Sequence, residues 1–418
     1  MNKSELKHLL RNTPCVSRAY RRVIDKIKGE KFRIESIPVI MAVKSNNNKP
    51  RLNLVLPAFE KDFVYGGITT TIKMLINIAN HLNIESRIIV LKGSYSKKAS
   101  YCVEGYNTEG DDPSLAFIDD LNKRILVRKE DIFIGTMWTT IYPLKNLFSF
   151  QKKEWKVLDR KFVYLIQDYE PGFYKWSTEF VLCENTYKEN TDDIIAIFNA
   201  KSLFQYFKNN QYSFGEEYWF EPVINDVLKT KIGSSQCRKK REKIILLYGR
   251  PRNSRNAFDL IRFSLKEWSS RYKDAPNWRI ISLGATFDDI RIERNTIECR
   301  GKVSLEEYAD LMLNSYAAIS LMISPHPSYP PLELSSFGVR TITNQFANKE
   351  LSSFNKNIIS LDNCSPKFIV KSLIDICEEY DEYESSFEIN NNYFCGSSYN
   401  DTISEVSRSI EKLLTNKK

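Results

Sequence analysis

Two successive runs of strand-sized and helix-sized patterns, separated by a polar stretch, predict an α/β protein of two doubly wound domains with a cleft between them. Length points the same way, since 418 residues exceed one ordinary core and suit two domains of roughly 150–200 residues each. Composition is the third observation. With 42% apolar and 27% charged residues the chain is of globular type, and its longest apolar runs fall well short of the ~20 residues that span a bilayer. No signal-peptide pattern opens it, so the expected location is cytoplasmic.

The first run begins after the polar residues 45–50. R-L-N-L-V-L-P (51–57) reads as a buried strand, followed by a glycine-bearing turn and a helical pattern over 68–82. Strand-sized runs follow at 87–91, 131–135, 162–167 and 194–198, interleaved with helical segments near 138–148, 177–187 and 200–208. This alternation implies a parallel sheet with helices on both faces. Residues 229–243 are polar and lack apolar periodicity, which places the domain boundary within or just before them and gives domains over 51–228 and 229–395. The second run reads strand 244–248, helix 257–269, strand 278–283, helix 305–314, strand 317–322, a helix near 331–337 and strand 340–343. Ile403, Val406, Ile410, Leu413 and Leu414 then mark a terminal amphipathic helix within 396–418.

Charge is unevenly spread. Of a formal net charge of +9, residues 1–50 contribute most, with 12 Lys and Arg against 4 Asp and Glu. There Val16, Tyr20, Val23, Ile24 and Ile27 recur at helical spacing among Arg18, Arg21, Arg22, Lys26 and Lys28, which predicts a basic helical extension. Such a helix either docks peripherally on the anionic inner face of the plasma membrane, at about 1 kcal/mol per basic residue near the surface, or packs, solvated, on the first domain. Nucleic acid is not an expected partner, because the charge is confined to one arm and no binding motif accompanies it. The eight cysteines contain no C-x-x-C pair, which points to reduced thiols rather than a disulfide framework or zinc site. Three histidines and the lack of any D-x-D pair give no metal site, so neither metal nor other cofactor is expected.

Several residues carry candidate chemistry. Gly66 and Gly67 lie in the first strand-to-helix turn, where backbone N–H groups at a helix N-terminus suit a diphosphate, although such a pair also serves simply to make a turn. L-Y-G-R-P-R-N-S-R-N (247–256) begins at the end of the second domain's first strand, where ligands of doubly wound sheets bind. Fixed guanidinium groups from Arg250 and Arg255 would there stabilise charge building on a departing phosphate. Lys302, before the 305–314 helix, is placed to reach a phosphate or nucleotide. Asp168 and Glu170 are the carboxylates available for general-base work, or for fixing the turn before Pro171 and Gly172. Tyr169, Phe173, Tyr174 and Trp176 form an aromatic cluster suited to stacking on sugar faces or to core packing.

The stretch M-I-S-P-H-P-S-Y-P-P-L-E-L-S-S-F-G (322–338) resembles the donor-binding motif of family-4 retaining glycosyltransferases of the GT-B fold, in which two glutamates stand eight residues apart. Pro330, Pro331, Leu332, Glu333 and Gly338 match it, but the first glutamate position is Pro325, with His326 beside it. Together with Y-G-R-P-x-x-x-R-N-A-F (248–258), G-K-V-S-L-E-E-Y-A-D-L (301–311), L-I-Q-D-Y-E-P-G-F-Y (165–174) and Y-G-G-I-T-T (65–70), it is similar to the WsaF-type bacterial rhamnosyltransferases over most of residues 51–378. That resemblance implies two Rossmann-like domains, a last helix crossing back to the first domain, and a dTDP-β-L-rhamnose donor. It further implies a rhamnose-containing surface glycan or lipid-linked glycan as acceptor, and retention at the anomeric carbon.

By the same likeness Arg250, Arg255 and Asp168 are the catalytic candidates, while Gly66, Gly67, Lys302, His326, Tyr329 and Glu333 are the donor-binding ones. Glu333 would accept hydrogen bonds from ribose hydroxyls at the start of a helix, where helix capping is the rival explanation. Glu170, Tyr174 and Trp176 are the acceptor-side candidates. Many family-4 enzymes place a histidine for the donor's 6-hydroxyl where this chain has Gln167 and Asp168, and a 6-deoxy sugar needs no such contact. His326 then either contacts the donor sugar or is structural. The alternatives are another nucleotide-activated deoxyhexose, a GT-B nucleotide-sugar epimerase, and a fold retained without turnover.

Overall fold

The computed structural model describes residues 37, 40–57, 67–91, 114–117, 124–234, 240–382, 387 and 390–415. Gly66 and nearly all of the basic extension, together with Cys15, Cys102 and Cys237, lie outside them.

The elements of the first unit are β1 (Met41–Lys44), β2 (Arg51–Leu56), α1 (Gly67–Leu82), β3 (Glu85–Val90), β4 (Ser114–Phe117), β5 (Arg124–Val127), β6 (Asp131–Gly135), α2 (Trp138–Trp155), β7 (Phe162–Ile166), α3 (Thr178–Asn185), β8 (Ile194–Phe198), α4 (Lys201–Asn209) and β9 (Glu216–Trp219). Seven strands form a parallel sheet in the order β4-β3-β2-β6-β7-β8-β9, while β1 and β5 pair separately, also in parallel. The central strands are buried along their whole length because both faces are covered. Side chains alternate accordingly: Phe162, Tyr164 and Ile166 join the core beneath α2, whereas Val163 and Leu165 join the one beneath α1.

The second unit comprises α5 (Asp226–Ser234), β10 (Glu242–Gly249), α6 (Phe258–Arg271), β11 (Arg279–Gly284), β12 (Ile290–Ile292), β13 (Asn295–Gly301), α7 (Leu305–Asn314), β14 (Ser315–Ile319), α8 (Tyr329–Ser336), β15 (Arg340–Asn344), β16 (Ile358–Leu361), α9 (Pro366–Glu378) and α10 (Asn391–Cys395). Its sheet runs β12-β13-β11-β10-β14-β15-β16, parallel except for β12. The polar stretch at 229–243 is partly helical. Ile224, Leu228 and Ile232, four residues apart, pack as one narrow stripe on the second sheet, and that stripe begins before the stretch that reads as irregular.

The chain then returns. Tyr393 and Phe394 of α10 belong to the second core, whereas Ile403, Val406 and Ile410 of α11 (Ser397–Thr415) pack with α1 in the first. Gly396, at φ +63°, makes the turn between them, and an added Cβ would lie 3.2 Å from Val223. In each sheet the connections reverse direction beside the first strand, between β2 and β6 and between β10 and β14. Ligands of doubly wound sheets bind at the carboxyl ends of such strand pairs. Both crevices carry the candidate residues.

Candidate functional site

On the first unit, α1 opens at Gly67 beside the ends of β6 and β7. A Cβ on Gly67 would sit 2.5 Å from Gln167 Oε1, so only glycine lets that carboxamide close on the helix start. Gln167 Nε2 donates to Thr71 Oγ1 (3.2 Å) and to Thr136 Oγ1, tying the two strand ends to the helix. Glu170 is buried, and its Oε2 accepts the backbone N–H of Trp138 (2.8 Å), which satisfies the first turn of α2. Burial pushes its carboxyl up to about 8, against the pull of that N–H. Tyr174 Oη accepts from Trp138 Nε1 (2.9 Å), the rings meeting edge to face. Of the acceptor-side candidates, Glu170 and Tyr174 are thus spent within the wall. Trp176 alone is open, 89% exposed and leaning on Phe180 with centroids 4.8 Å apart.

On the second unit β10 ends at Gly249, where a Cβ would lie 2.1 Å from Ser282 Oγ, and β11 ends at Gly284 with φ +111°. Only glycines allow the two strand ends to lie this close, with Ala285 N–H donating to the Gly249 carbonyl at 3.0 Å. Arg250 follows, exposed and without an ion pair among the described residues. Lys302 is also exposed, just past Gly301 at the end of β13.

Arg255 is not placed like Arg250. Its Nη1 is ion-paired with Asp168 Oδ2 of the other unit, and its guanidinium lies 3.7 Å from the centroid of the Phe173 ring. Asp168, 6% exposed, also accepts on Oδ1 from Ser324 Oγ and from Tyr169 N–H (2.8 Å). Ser324 Oγ in turn accepts His326 N–H (3.0 Å), and the Arg255 carbonyl accepts Ile323 N–H (2.7 Å). Asp168, Arg255, Ser324 and His326 thus belong to one network that spans the cleft.

His326 is 5% exposed. Its Nδ1 accepts Ser328 N–H (3.0 Å), which assigns the ring proton to Nε2, and Nε2 has no partner. Burial lowers the imidazole to about 4; Asp168 opposes this, whereas Lys349 and Arg255 add to it. The ring is therefore a neutral donor at physiological pH. Ser328, the N-cap of α8, sits at φ 69°, a strained position for a residue with a side chain.

The helix itself begins at Tyr329 rather than near 331, which puts Glu333 fifth along it, beyond the first turn. Helix capping therefore does not explain Glu333. Burial raises its carboxyl to about 7, eased only partly by the neighbouring Tyr308 hydroxyl, which is buried without closing an ordinary hydrogen bond. The Tyr329 hydroxyl lies beside the side chain of Thr70 in the first turn of α1, and burial raises that phenol to about 12. The N-terminal turns of α1 and α8 thus adjoin across the cleft, and both helix dipoles favour an anion there.

Sequence reading missed Ser324, Asn344 and Lys349. Lys349 is 0% exposed, and burial lowers its amine to about 7. Nothing in a polar turn such as N-K-E (348–350) signals a buried lysine. Among the described residues no group of three or more His, Cys, Asp or Glu is arranged to hold a metal ion, and no helix is long and apolar enough to cross a membrane.

Known proteins share this architecture. The WsaF N-terminal domain matches residues 51–201 and the WsaF C-terminal domain residues 243–374, together more than half of the chain. The O-antigen biosynthesis protein RfbC of Myxococcus xanthus is 27% identical over 235 residues, 53% of this chain but only 16% of that protein's length. Anabaena Alr3699/HepE in complex with UDP and glucose superposes with TM-score 0.56 at 11% identity, covering 88% of this chain and 100% of that one. Sucrose-phosphate synthase from Thermosynechococcus elongatus gives 0.53 at 9% identity, covering 87% and 98%. With both WsaF domains matched in chain order and two doubly wound units meeting at a cleft, this chain belongs to the WsaF family of glycosyltransferases, with the GT-B fold.

Proposed function

We propose that this protein transfers L-rhamnose from dTDP-β-L-rhamnose to a rhamnose-containing surface glycan under assembly, with retention of configuration. The observation that carries the sugar assignment is His326, a buried neutral imidazole whose Nε2–H lacks a partner. It stands beside Pro325, where the related motif has a carboxylate for ring hydroxyls, so the nucleotide half of the motif is kept and the sugar half is rewritten. Part in surface-glycan assembly agrees with the printed role of the Myxococcus relative, of which this chain spans a small part.

In the proposed reaction the bond between the anomeric carbon and the diphosphate oxygen breaks, and the acceptor oxygen bonds on the same face. The acceptor's hydroxyl proton passes to the departing phosphate or to Asp168. Arg250, Lys302 and the adjoining N-terminal turns of α1 and α8 would hold the diphosphate, Gly67 opening the first of these, while Glu333 would accept from the 3′-hydroxyl of the deoxyribose. Chemistry of this kind rests on positioning and anion stabilisation. We propose that it needs no metal, so activity should persist in EDTA.

A thermal-shift screen of dTDP-, UDP- and GDP-sugars tests the donor: dTDP-rhamnose should stabilise the protein most, and preference for another sugar overturns the assignment. Incubation with dTDP-rhamnose alone separates transferase from epimerase, since only the epimerase alters the free donor. The proposed site of action is the inner face of the plasma membrane, reached through residues 1–50. Equal flotation with anionic liposomes of the full chain and of one lacking the first 45 residues would exclude that contact.

A further inference from the structure

The buried lysine calls for an account of its own. Taking an amine out of water costs free energy unless its bonds are made good, and an apolar side chain of similar volume would fill the space without that cost. Lys349 has no carboxylate within ion-pair distance among the described residues. Its Nζ donates to the Met322 carbonyl at 2.6 Å. The same carbonyl accepts Asn344 Nδ2 (3.1 Å), and Met322 N–H donates to Asn344 Oδ1 (2.7 Å), so residue 322 is fixed on both its polar groups.

Residue 322 is where the segment carrying Ser324, Pro325 and His326 leaves the sheet. The other side of that segment is tied from the same turn. Asn348 Nδ2 donates to the Ser202 carbonyl (2.8 Å), and Ser202 Oγ donates to the Pro325 carbonyl (2.9 Å). The turn is itself closed by Lys349 N–H to the Phe346 carbonyl (2.8 Å), with Ala347 at φ 50°. Adjacent residues thus clamp residues 322–325 at both ends.

We propose that Lys349 is a positioning residue: through the Met322 carbonyl it sets residues 322–328, and with them the face that His326 presents to the donor's sugar. This rests on the donor assignment above. The charged and titratable groups that act on its amine are Asp168 after β7, His326 before α8 and Cys364 before α9, while Arg255 before α6 faces His326. Lys349 and Arg255 both disfavour protonation of His326, so the lysine also helps to keep that imidazole the neutral donor.

The test is calorimetric and uses two ligands, dTDP and dTDP-rhamnose, whose affinity ratio isolates the sugar's contribution. Lys349→Met keeps the volume and removes the donor. It is expected to leave dTDP affinity and the thermal midpoint unchanged or higher, while the affinity ratio falls tenfold or more. Asn344→Ala frees the same carbonyl from the other side and is expected to reproduce the split, so the outcome does not depend on one variant folding. An unchanged ratio in either folded variant, or equal loss for both ligands, overturns the role of Lys349. A wild-type protein that gains no affinity from rhamnose over dTDP alone fails the donor assignment, and this inference with it.

Discussion

Asp168 and Arg255, 87 residues apart, are ion-paired across the cleft, with the guanidinium stacked on Phe173 and the second carboxylate oxygen held by Ser324. Arg255 is thus partly neutralised before any donor arrives, whereas Arg250 is exposed at the strand end. The two arginines consequently have different tasks. Arg250→Ala should weaken dTDP binding by about ten- to a hundredfold, the loss of one charge-assisted phosphate contact worth ~1.5–3 kcal/mol. Asp168→Asn should leave dTDP affinity within threefold yet lower kcat by ~10²–10⁴, the usual range for a general base. Loss of dTDP affinity in Asp168→Asn as large as its loss of kcat would show that the Asp168–Arg255 pair works only as a latch.

Glu333 gives a pH dependence with a definite sign. In the folded protein its carboxyl titrates at about 7 instead of the ordinary 4.5, because burial penalises the charged form. In the proposed complex the single 3′-hydroxyl of the dTDP deoxyribose donates to this group, a bond strongest to the carboxylate, so nucleotide affinity should fall as pH drops through 7. The same shift means the native state binds more protons than the unfolded one between pH 4.5 and 7, so this group's contribution to stability declines as pH rises through that window. Glu333→Gln should flatten the pH profile of dTDP affinity measured by calorimetry. Retention of the wild-type profile in this variant would assign the titration elsewhere.

A stability prediction comes from the amino ends of the central strands of the first sheet. Asp131, buried at the start of β6, accepts Arg51 Nε (2.9 Å), Arg51 Nη2 (2.9 Å) and Arg128 N–H (2.7 Å). Replacement of Asp131 by Ala would leave a buried guanidinium without its partner, a change that costs about 3–5 kcal/mol. The urea midpoint should fall accordingly. Because the pair lies at the amino ends of the strands, kcat of the remaining folded protein should not change.

The central strands of both sheets were legible because burial on both faces leaves uninterrupted apolar runs, as at I-I-A-I-F (194–198). Short edge strands such as β9, with every residue half-buried, carry no such signal. Neither does α5, which gives only Leu228 and Ile232 to the second core. In the site, Arg250, Arg255, Asp168 and His326 stood out through the resemblance of their surroundings to glycosyltransferase motifs. What could not be read was pairing over distance. The Asp168–Arg255 contact depends on how two separate sheets face each other, and the burial of Lys349 depends on a turn folding under a loop that leaves another strand.

His326 supplies the last prediction. Its Nδ1 is occupied by Ser328 N–H, so the ring can offer a ligand only the Nε2–H, which is unpartnered. With the imidazole lowered to about 4, that donor persists at neutral pH, and protonation on acidification would break the Ser328 bond before adding any useful contact. The unfolded chain binds this proton near pH 6.5 and the folded chain only near 4, so stability from this group is lost as pH falls between those values. His326→Ala should therefore raise the KM for dTDP-rhamnose by about tenfold, the 1.4 kcal/mol expected of one buried hydrogen bond. His326→Asn, which has an N–H donor and a short acceptor, should recover part of it. The measurement is steady-state kinetics at pH 7.5 with dTDP as competitive inhibitor: an unchanged inhibition constant beside a raised KM places the lost contact on the sugar. A KM unaltered in His326→Ala would leave the imidazole as packing beneath α8 and return the choice of sugar to other groups.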